Sequence, residues 1–330
     1  MGKLKQTLKK AGLNTFFLLL ISTIFIAKFF PELGSENGPL PLKQLTGIGI
    51  SIIFFFYGVK LSPQKLKEGL SNWKLHILIQ ASTFLIFPMV ILSLYGIWGE
   101  EGSYLWLGTF YLAALPSTVS SSVVMVSIAG GNLPAAIFNA SISSIVGIFI
   151  TPIWMEVLLP ETAVSFDLTE TFIKLSLQVL FPVILGLFFH QYLIGFVNRF
   201  QNSLKNFDQT IILLIVFTAF AESFAEKMFE GYSLLELGRL SLLMLLFFFV
   251  MMGVMYGLSK MLHFSRPDTI ALVFCGSKKS LVQGAVMGRV MFPDPTVFGI
   301  ILLPLMIYHA LQLMAGSAIA QRLGDQDLKA

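Results

Sequence analysis

The chain has 330 residues, of which 55% are hydrophobic and only 12% are charged. Soluble domains carry about 25% charged residues, so this composition excludes an ordinary water-soluble globule and predicts a polytopic membrane protein. The net charge of +4 needs no nucleic acid to explain it. The single cysteine, Cys275, rules out an intrachain disulfide, and four scattered histidines without paired spacing argue against a metal site.

In chain order, the N-terminus MGKLKQTLKKAGLNTFFLLLISTIFIAKFF is basic, then apolar. A signal peptide has that pattern, but no small-x-small cleavage site follows, and Lys28 to Pro31 read as a membrane exit. A retained first helix is expected. The Met-Gly start lacks Ser or Thr at position 6, so myristoylation is not indicated. Apolar runs then divide at polar punctuation into 13–30, 42–60, 75–97, 104–128, 132–155, 168–193, 205–226, 235–262, 266–290 and 296–320. A hydrocarbon core of ~30 Å needs about 20 apolar residues per helix, so each run is read as a span. The runs are continuous rather than alternating, which excludes a β-barrel. The expected fold is all-α, a single transmembrane domain over 1–330 with no separate soluble part.

Lysine and arginine placement sets orientation. Lys3, Lys5, Lys9, Lys10, Lys60, Lys65, Lys67, Lys74, Arg199, Lys205, Lys260, Arg266, Arg322 and Lys329 fall at one set of ends. Only Lys28, Lys43, Lys174, Lys227, Arg239 and Arg289 fall at the other. The richer side is expected to be cytoplasmic, with both termini inside. Ten spans divide into halves 13–155 and 168–320. Each half has an odd span count, so the two lie in opposite orientation, as in inverted-repeat transporters. Gly147-Ile-Phe-Ile-Thr-Pro152 and Gly299-Ile-Ile-Leu-Leu-Pro304 echo each other in spans 5 and 10.

Spans 4 and 9 carry the chemistry. Each is interrupted halfway along, the first by Pro116-Ser-Thr-Val-Ser-Ser-Ser122 and the second by Cys275-Gly-Ser-Lys-Lys-Ser280. Paired interruptions at corresponding positions point to a midplane binding site. Non-helical backbone inside a bilayer survives only where protein or a watered cavity satisfies it. The helix resuming after each break offers free N–H groups and a positive dipole end, which suit an anion. Serines in membrane helices often bond only to their own backbone; a cluster beside a proline points instead to a broken helix.

Lys278 and Lys279 sharpen this. A lysine at mid-bilayer costs about 2.5–3.5 kcal/mol on the mildest scale, and snorkelling does not easily rescue two so far from either end of the run. Neighbours on a helix point about 100° apart, so at least one is expected to face the interior. No acid is expected at mid-depth, so backbone carbonyls, hydroxyls or an anionic ligand should partner them. Other mid-span polar groups are Gln80, Ser82, Thr83, Asn139, Ser141, Ser143, Ser144, Gln178 and Gln283. Asn139 with Ser143, and Gln80 with Thr83, share helical faces. Each pair alone is usual interhelical glue, but together they could line one cavity. His309 and Gln312 are expected near the interface.

Three blocks carry a family resemblance: FFFYGVKLSPQKLKEGLSNWKLHILIQASTFLIFP, LPSTVSSSVVMVSIAGGNLPAAIFNASISSIVGIFITP and FCGSKKSLVQGAVMGRVMFP. They resemble the SBF-like branch of the bile acid:sodium symporter superfamily, over about residues 13–322. The resemblance implies a panel of helices 1, 2, 6 and 7. It also implies a core of helices 3–5 and 8–10, with broken helices 4 and 9 crossing near the midplane. It implies an organic anion bound between panel and core, and two sodium ions behind the crossing. It also exposes departures. Pro116 and Ser121 keep the helix 4 pattern, while Ser117, Thr118 and Ser122 replace its glycines and asparagine. In helix 9, registering the last glycine on Gly284 places Ser277 where the family has its sodium-binding glutamate, and no acid lies between Asp268 and Asp294.

A cation site needs hard oxygens and negative charge. An ammonium beside the missing carboxylate leads to the hypothesis that a lysine replaces sodium. Coupling would then be to protons, to the substrate itself, or absent. The expected function is secondary transport of a small organic anion, with no cofactor, in a bacterial inner membrane. The residues expected to bind are Gln80, Ser117, Thr118, Ser120, Ser121, Ser122, Asn139, Ser143, Ser277, Lys278, Lys279, Ser280 and Gln283. Two alternatives stay open: sodium symport with atypical ligands, and a non-transporting membrane regulator of ion homeostasis. No nucleophile–base pair suggests an enzyme. Cargo, direction and oligomeric state are not legible.

Overall fold

The computed structural model describes residues 15–34, 38–60, 72–94, 103–118, 120–158, 173, 176–225, 227, 233–292 and 294–327. Among these residues every regular element is helical. In chain order they are α1 (Thr15–Phe29), the short α2 (Pro31–Gly34), α3 (Leu42–Lys60) and α4 (Trp73–Ser93), which contains a π turn at Ser82–Ile86. Next come α5 (Tyr104–Ala114), α6 (Ser120–Ile128) and α7 (Leu133–Leu158). A second π turn at Ser176–Leu180 leads into α8 (Phe181–Phe188), followed by α9 (His190–Arg199) and α10 (Gln201–Ala225). The chain closes with α11 (Leu234–Met261), α12 (Arg266–Gly276), α13 (Leu281–Met291) and α14 (Pro295–Asp327).

Among the described residues, six segments are long and apolar enough to cross a membrane: Trp73–Ser93, Leu133–Leu158, Gln201–Ala225, Leu235–Met261, Arg266–Met291 and Thr296–Gly324. A seventh is added if Leu177–Phe188 and His190–Arg199, which bend by 97°, count as one. Leu18–Phe29, Gln44–Lys60 and Tyr104–Ala114 are shorter apolar helices. The protein is therefore a multi-pass membrane protein. Two expected spans, 104–128 and 266–290, are not continuous helices but the pairs α5/α6 and α12/α13. The run at 168–193 does depart from expectation, because its helix turns sharply at Phe189 rather than continuing straight.

Local chemistry explains the ends that matter. Ser103 accepts from Trp106 N and starts α5. Pro116 ends it, because a residue before proline is driven out of helical conformation; Leu115 is extended at φ −72, ψ 155. Ser265 caps α12 with Pro267 in its first turn, and Ser280 caps α13. Ser233 and Glu236 form a reciprocal capping box at the start of α11.

Packing brings the broken pairs to the centre. α14 lies against α5, α6, α10, α11 and α13. α12 lies against α4, α6, α7 and α11. Close approach needs glycine at several crossings. A methyl group on Gly108 would come within 2.9 Å of the Ile301 backbone, so α5 and α14 touch main chain to main chain. Outward-facing Phe29, Ile77, Phe188 and Leu246 are exposed, as lipid-facing side chains should be. Lys278 and Lys279 are fully buried, among the largest buried side chains in the molecule.

Candidate functional site

The two interruptions meet directly. Ser280 N–H donates to Pro116 O across 3.0 Å, joining the loop between α12 and α13 to the loop between α5 and α6. Four broken-helix ends therefore converge, and their freed backbone groups must find partners inside the protein.

The C-terminal end of α12 finds them in hydroxyls. Val273 O accepts from Ser277 Oγ at 2.6 Å, Phe274 O from Ser122 Oγ at 3.2 Å and Cys275 O from Ser117 Oγ at 2.6 Å. Gly276 O accepts from Ser82 Oγ at 2.8 Å, and Ser277 O from Tyr308 Oη at 2.7 Å. Every carbonyl from Val273 to Ser277 thus has a side-chain hydroxyl donor, drawn from α4, the first break, α6, α14 and the loop itself.

Proton counting fixes the direction of the neighbouring chain. A hydroxyl has one proton to give. Ser122 gives its proton to Phe274 O, so Thr118 must donate to Ser122 across 2.7 Å. Ser121 must then donate to Thr118 across 2.8 Å. Ser117 N–H goes to Ser143 Oγ at 3.0 Å. The hydroxyl protons of Ser117, Thr118, Ser121 and Ser122 are all committed within the protein in this conformation. The side chain of Ser120 lies outside the described residues.

Lys279 occupies a cage of carbonyl oxygens. Its Nζ donates to Thr83 O, Ala113 O and Leu115 O, each at 2.7 Å. An ammonium has three protons, so its donor capacity is filled. Proline frees each acceptor. In α4, Pro88 has no N–H for Phe84 O, and Phe87 N reaches back to Ser82 O through the π turn. Thr83 O and Phe84 O are left over; Lys279 takes the first and Trp154 Nε1 the second, at 2.7 Å. In α5, Pro116 releases the last carbonyls. The ammonium sits at the negative end of the α5 dipole and 4.1 Å from the centroid of the Phe87 ring.

Gln312 holds the backbone of the same residue. Its Oε1 accepts from Lys279 N at 2.9 Å and its Nε2 donates to Lys279 O at 2.7 Å. Gln312 is fully buried. The expectation that it lies near the interface is corrected: α14 carries it to the break, where one side-chain amide pairs with both the N–H and the C=O of Lys279.

Lys278 is held quite differently. Its Nζ reaches Ser121 O only at 3.4 Å and lies against Met125 Sδ, with the Phe274 ring centroid at 5.3 Å. A thioether is a weak acceptor, and none of these groups carries negative charge. The two lysines, adjacent in sequence, thus have opposite standing: one is saturated and one is poorly partnered.

The remaining predicted residues form a second network. Gln80 Nε2 donates to Asn139 O at 3.2 Å and to Asn139 Oδ1 at 3.1 Å, and Asn139 Nδ2 donates to His76 Nδ1 at 2.7 Å. Asn139 and Ser143 lie on one face of α7, as expected, but they serve different partners. Ser280 Oγ accepts from Gln283 N at 3.3 Å. Gln80 Oε1 and Gln283 Oε1 are buried without a hydrogen-bond partner. Sequence reasoning passed over Tyr308 and did not assign Ser82 a ligand role. The Pro88 signal six residues downstream of Ser82 could have drawn attention to it.

A family model described as the SBF-like CPA transporter family matches residues 14–325. The Pseudomonas aeruginosa protein PA2026 is 37% identical over 310 residues, covering 94% of this chain and 92% of that protein. YfeH of Escherichia coli K12, by name a candidate symporter, is 36% identical over 316 residues, covering 94% and 92%. Sodium/bile acid cotransporter 7 of Xenopus tropicalis is 30% identical over 312 residues, covering 92% and 90%.

Proposed function

Because the chain belongs to the SBF-like CPA transporter family, we propose that it is a secondary active transporter of a small organic anion, working by alternating access. In this reading the apolar segments form ten spans in two inverted repeats, 13–155 and 168–320. Both termini are cytoplasmic and the membrane is a bacterial inner membrane. The panel moves against a core built on the two broken spans. The direct bond between Ser280 and Pro116 supports that core.

The observation that carries the mechanism is the carbonyl cage around Lys279. Three backbone oxygens converging at 2.7 Å suit a small cation, and here an ammonium fills the position. Lys279 therefore replaces sodium as the internal charge that holds the break together, and transport needs no sodium at this position. Lys278, buried with weak partners, supplies positive charge for the substrate's anionic group. Its apolar walls, Phe274 and Met125, suit an organic rather than an inorganic anion. One observation favours the sodium-coupled alternative: Gln80 Oε1 and Gln283 Oε1 are buried hard oxygens with no donor.

The test is thermal stability of the purified protein in sodium, potassium and choline chloride, followed by a panel of carboxylates and sulfonates. A ligand that binds only the folded state raises the melting temperature with its concentration. Wild type should be indifferent to sodium and respond to at least one organic anion; Lys278→Gln should lose that anion response. A sodium-specific rise in wild type would restore sodium coupling. Silence across the whole panel, together with no uptake by proteoliposomes, would sink the transport reading.

A further inference from the structure

The bend at Phe189 creates a surface that the transport reading does not use. α8 presents Phe181, Ile184 and Phe188 outward, all more than half exposed, which marks it as lipid-facing. The helix pair then turns by 97°. A helix at right angles to a membrane-crossing one runs along the membrane surface, so α9 lies in the interface.

Its anchoring and its composition agree. The inner face is fixed to the end of α3: His190 Nδ1–H donates to Val59 O at 2.7 Å, and Val197 packs with Val59 and Leu204 in a small separate core. The outer face shows Tyr192 at 71% and Phe196 at 46% exposure. A tyrosine settles at the membrane–water interface, and the aromatic face of an interfacial helix dips to the boundary between headgroups and acyl chains. The rim of the same small core carries Lys60, Arg199 and Lys205, all exposed and each within two residues of Val59, Val197 or Leu204. No acidic residue occurs from 171 to 207. The nearest, Asp208, is engaged with Lys60 at 3.9 Å. Arg199, whose guanidinium lies 5.6 Å from the Phe200 ring centroid, and Lys205 are both exposed and without an acidic partner among the described residues.

We propose that α9 and the start of α10 form a binding site for an anionic phospholipid, with Arg199 and Lys205 on the phosphate and Tyr192 and Phe196 against the acyl chains. Arg favours phosphate because its planar fork makes two parallel bonds. Charge complementarity and continuity with a lipid-facing helix fix the occupant as a lipid rather than a protein. Interfacial aromatic and basic residues acting together bind anionic bilayers in a salt-dependent way.

The experiment uses the full chain in nanodiscs of phosphatidylcholine with increasing phosphatidylglycerol, read by melting temperature. The same titration is run with inorganic phosphate in detergent. Each basic side chain near an anionic surface contributes about fivefold, so Arg199→Gln/Lys205→Gln should weaken the lipid response about 30-fold. Equal melting temperatures of the variant and wild type in pure phosphatidylcholine show that the variant is folded. Arg239→Gln, an exposed arginine far along the chain, should respond like wild type. A response unchanged in the double variant, lost equally in Arg239→Gln, or reproduced by inorganic phosphate alone would overturn the proposal.

Discussion

Replacing each central lysine by methionine should shift stability in opposite directions. Methionine keeps the unbranched apolar stem, one atom shorter, and removes the charge. At position 279 it strands Thr83 O, Ala113 O and Leu115 O, all now held at 2.7 Å. A buried acceptor left without a donor costs about 1–3 kcal/mol, so three cost about 6 kcal/mol. Relief from burying an ammonium returns about 3 kcal/mol, leaving a net loss of about 3 kcal/mol. At position 278 the lost partners are one carbonyl at 3.4 Å and a thioether, worth about 1 kcal/mol at most. The same relief then leaves Lys278→Met about 2 kcal/mol more stable than wild type. At about 2–4 °C per kcal/mol, differential scanning fluorimetry should show Lys279→Met melting roughly 6–12 °C lower and Lys278→Met several degrees higher. Equal destabilisation by the two substitutions would refute the claim that only Lys279 is saturated. The sign at 278 also separates function from packing, because a residue whose removal stabilises the fold is kept for another reason.

Two further pairs of substitutions test the packing. Gln312→Leu should lower stability by about 2–4 kcal/mol, since both backbone groups of Lys279 lose their partner. Gln312→Asn, one methylene shorter, should rescue little of the loss in the same melting assay. Gly108→Ala should cost about 1–3 kcal/mol through overpacking against the Ile301 backbone. Gly253→Ala, where a methyl group would meet nothing within 4 Å, should be neutral or slightly stabilising within α11.

Much of the site was legible because the bilayer restricts what sequence can do. Serines beside Pro116 and two lysines inside an apolar run have few explanations in a low-dielectric solvent. That reasoning located both breaks and named the carbonyls, hydroxyls or ligand that would have to partner the lysines. It did not separate Lys278 from Lys279, because the difference lies in which neighbours the fold brings, and those come from α4, α5, α6 and α14. Nor did it place Gln312 at the break. A glutamine toward the end of a long apolar helix reads as interfacial, and only the packing of α14 on α13 carries it inward. The committed hydroxyls of Ser117 and Ser122 were equally hidden, since their acceptors lie more than 150 residues away.

The sequence by itself determined that the chain lives in a membrane, that its elements are helices, and that the apolar runs 104–128 and 266–290 are interrupted. Composition, run length and proline chemistry are local quantities, and local quantities can be read in order along the chain. Only the tertiary structure decided that the two interruptions bond to each other, that five α12 carbonyls are met by hydroxyls from elsewhere, and that one lysine is caged while its neighbour is not. The reason is that hydrogen bonds act over about 3 Å of space. Distance along the chain says nothing about which groups will be that close.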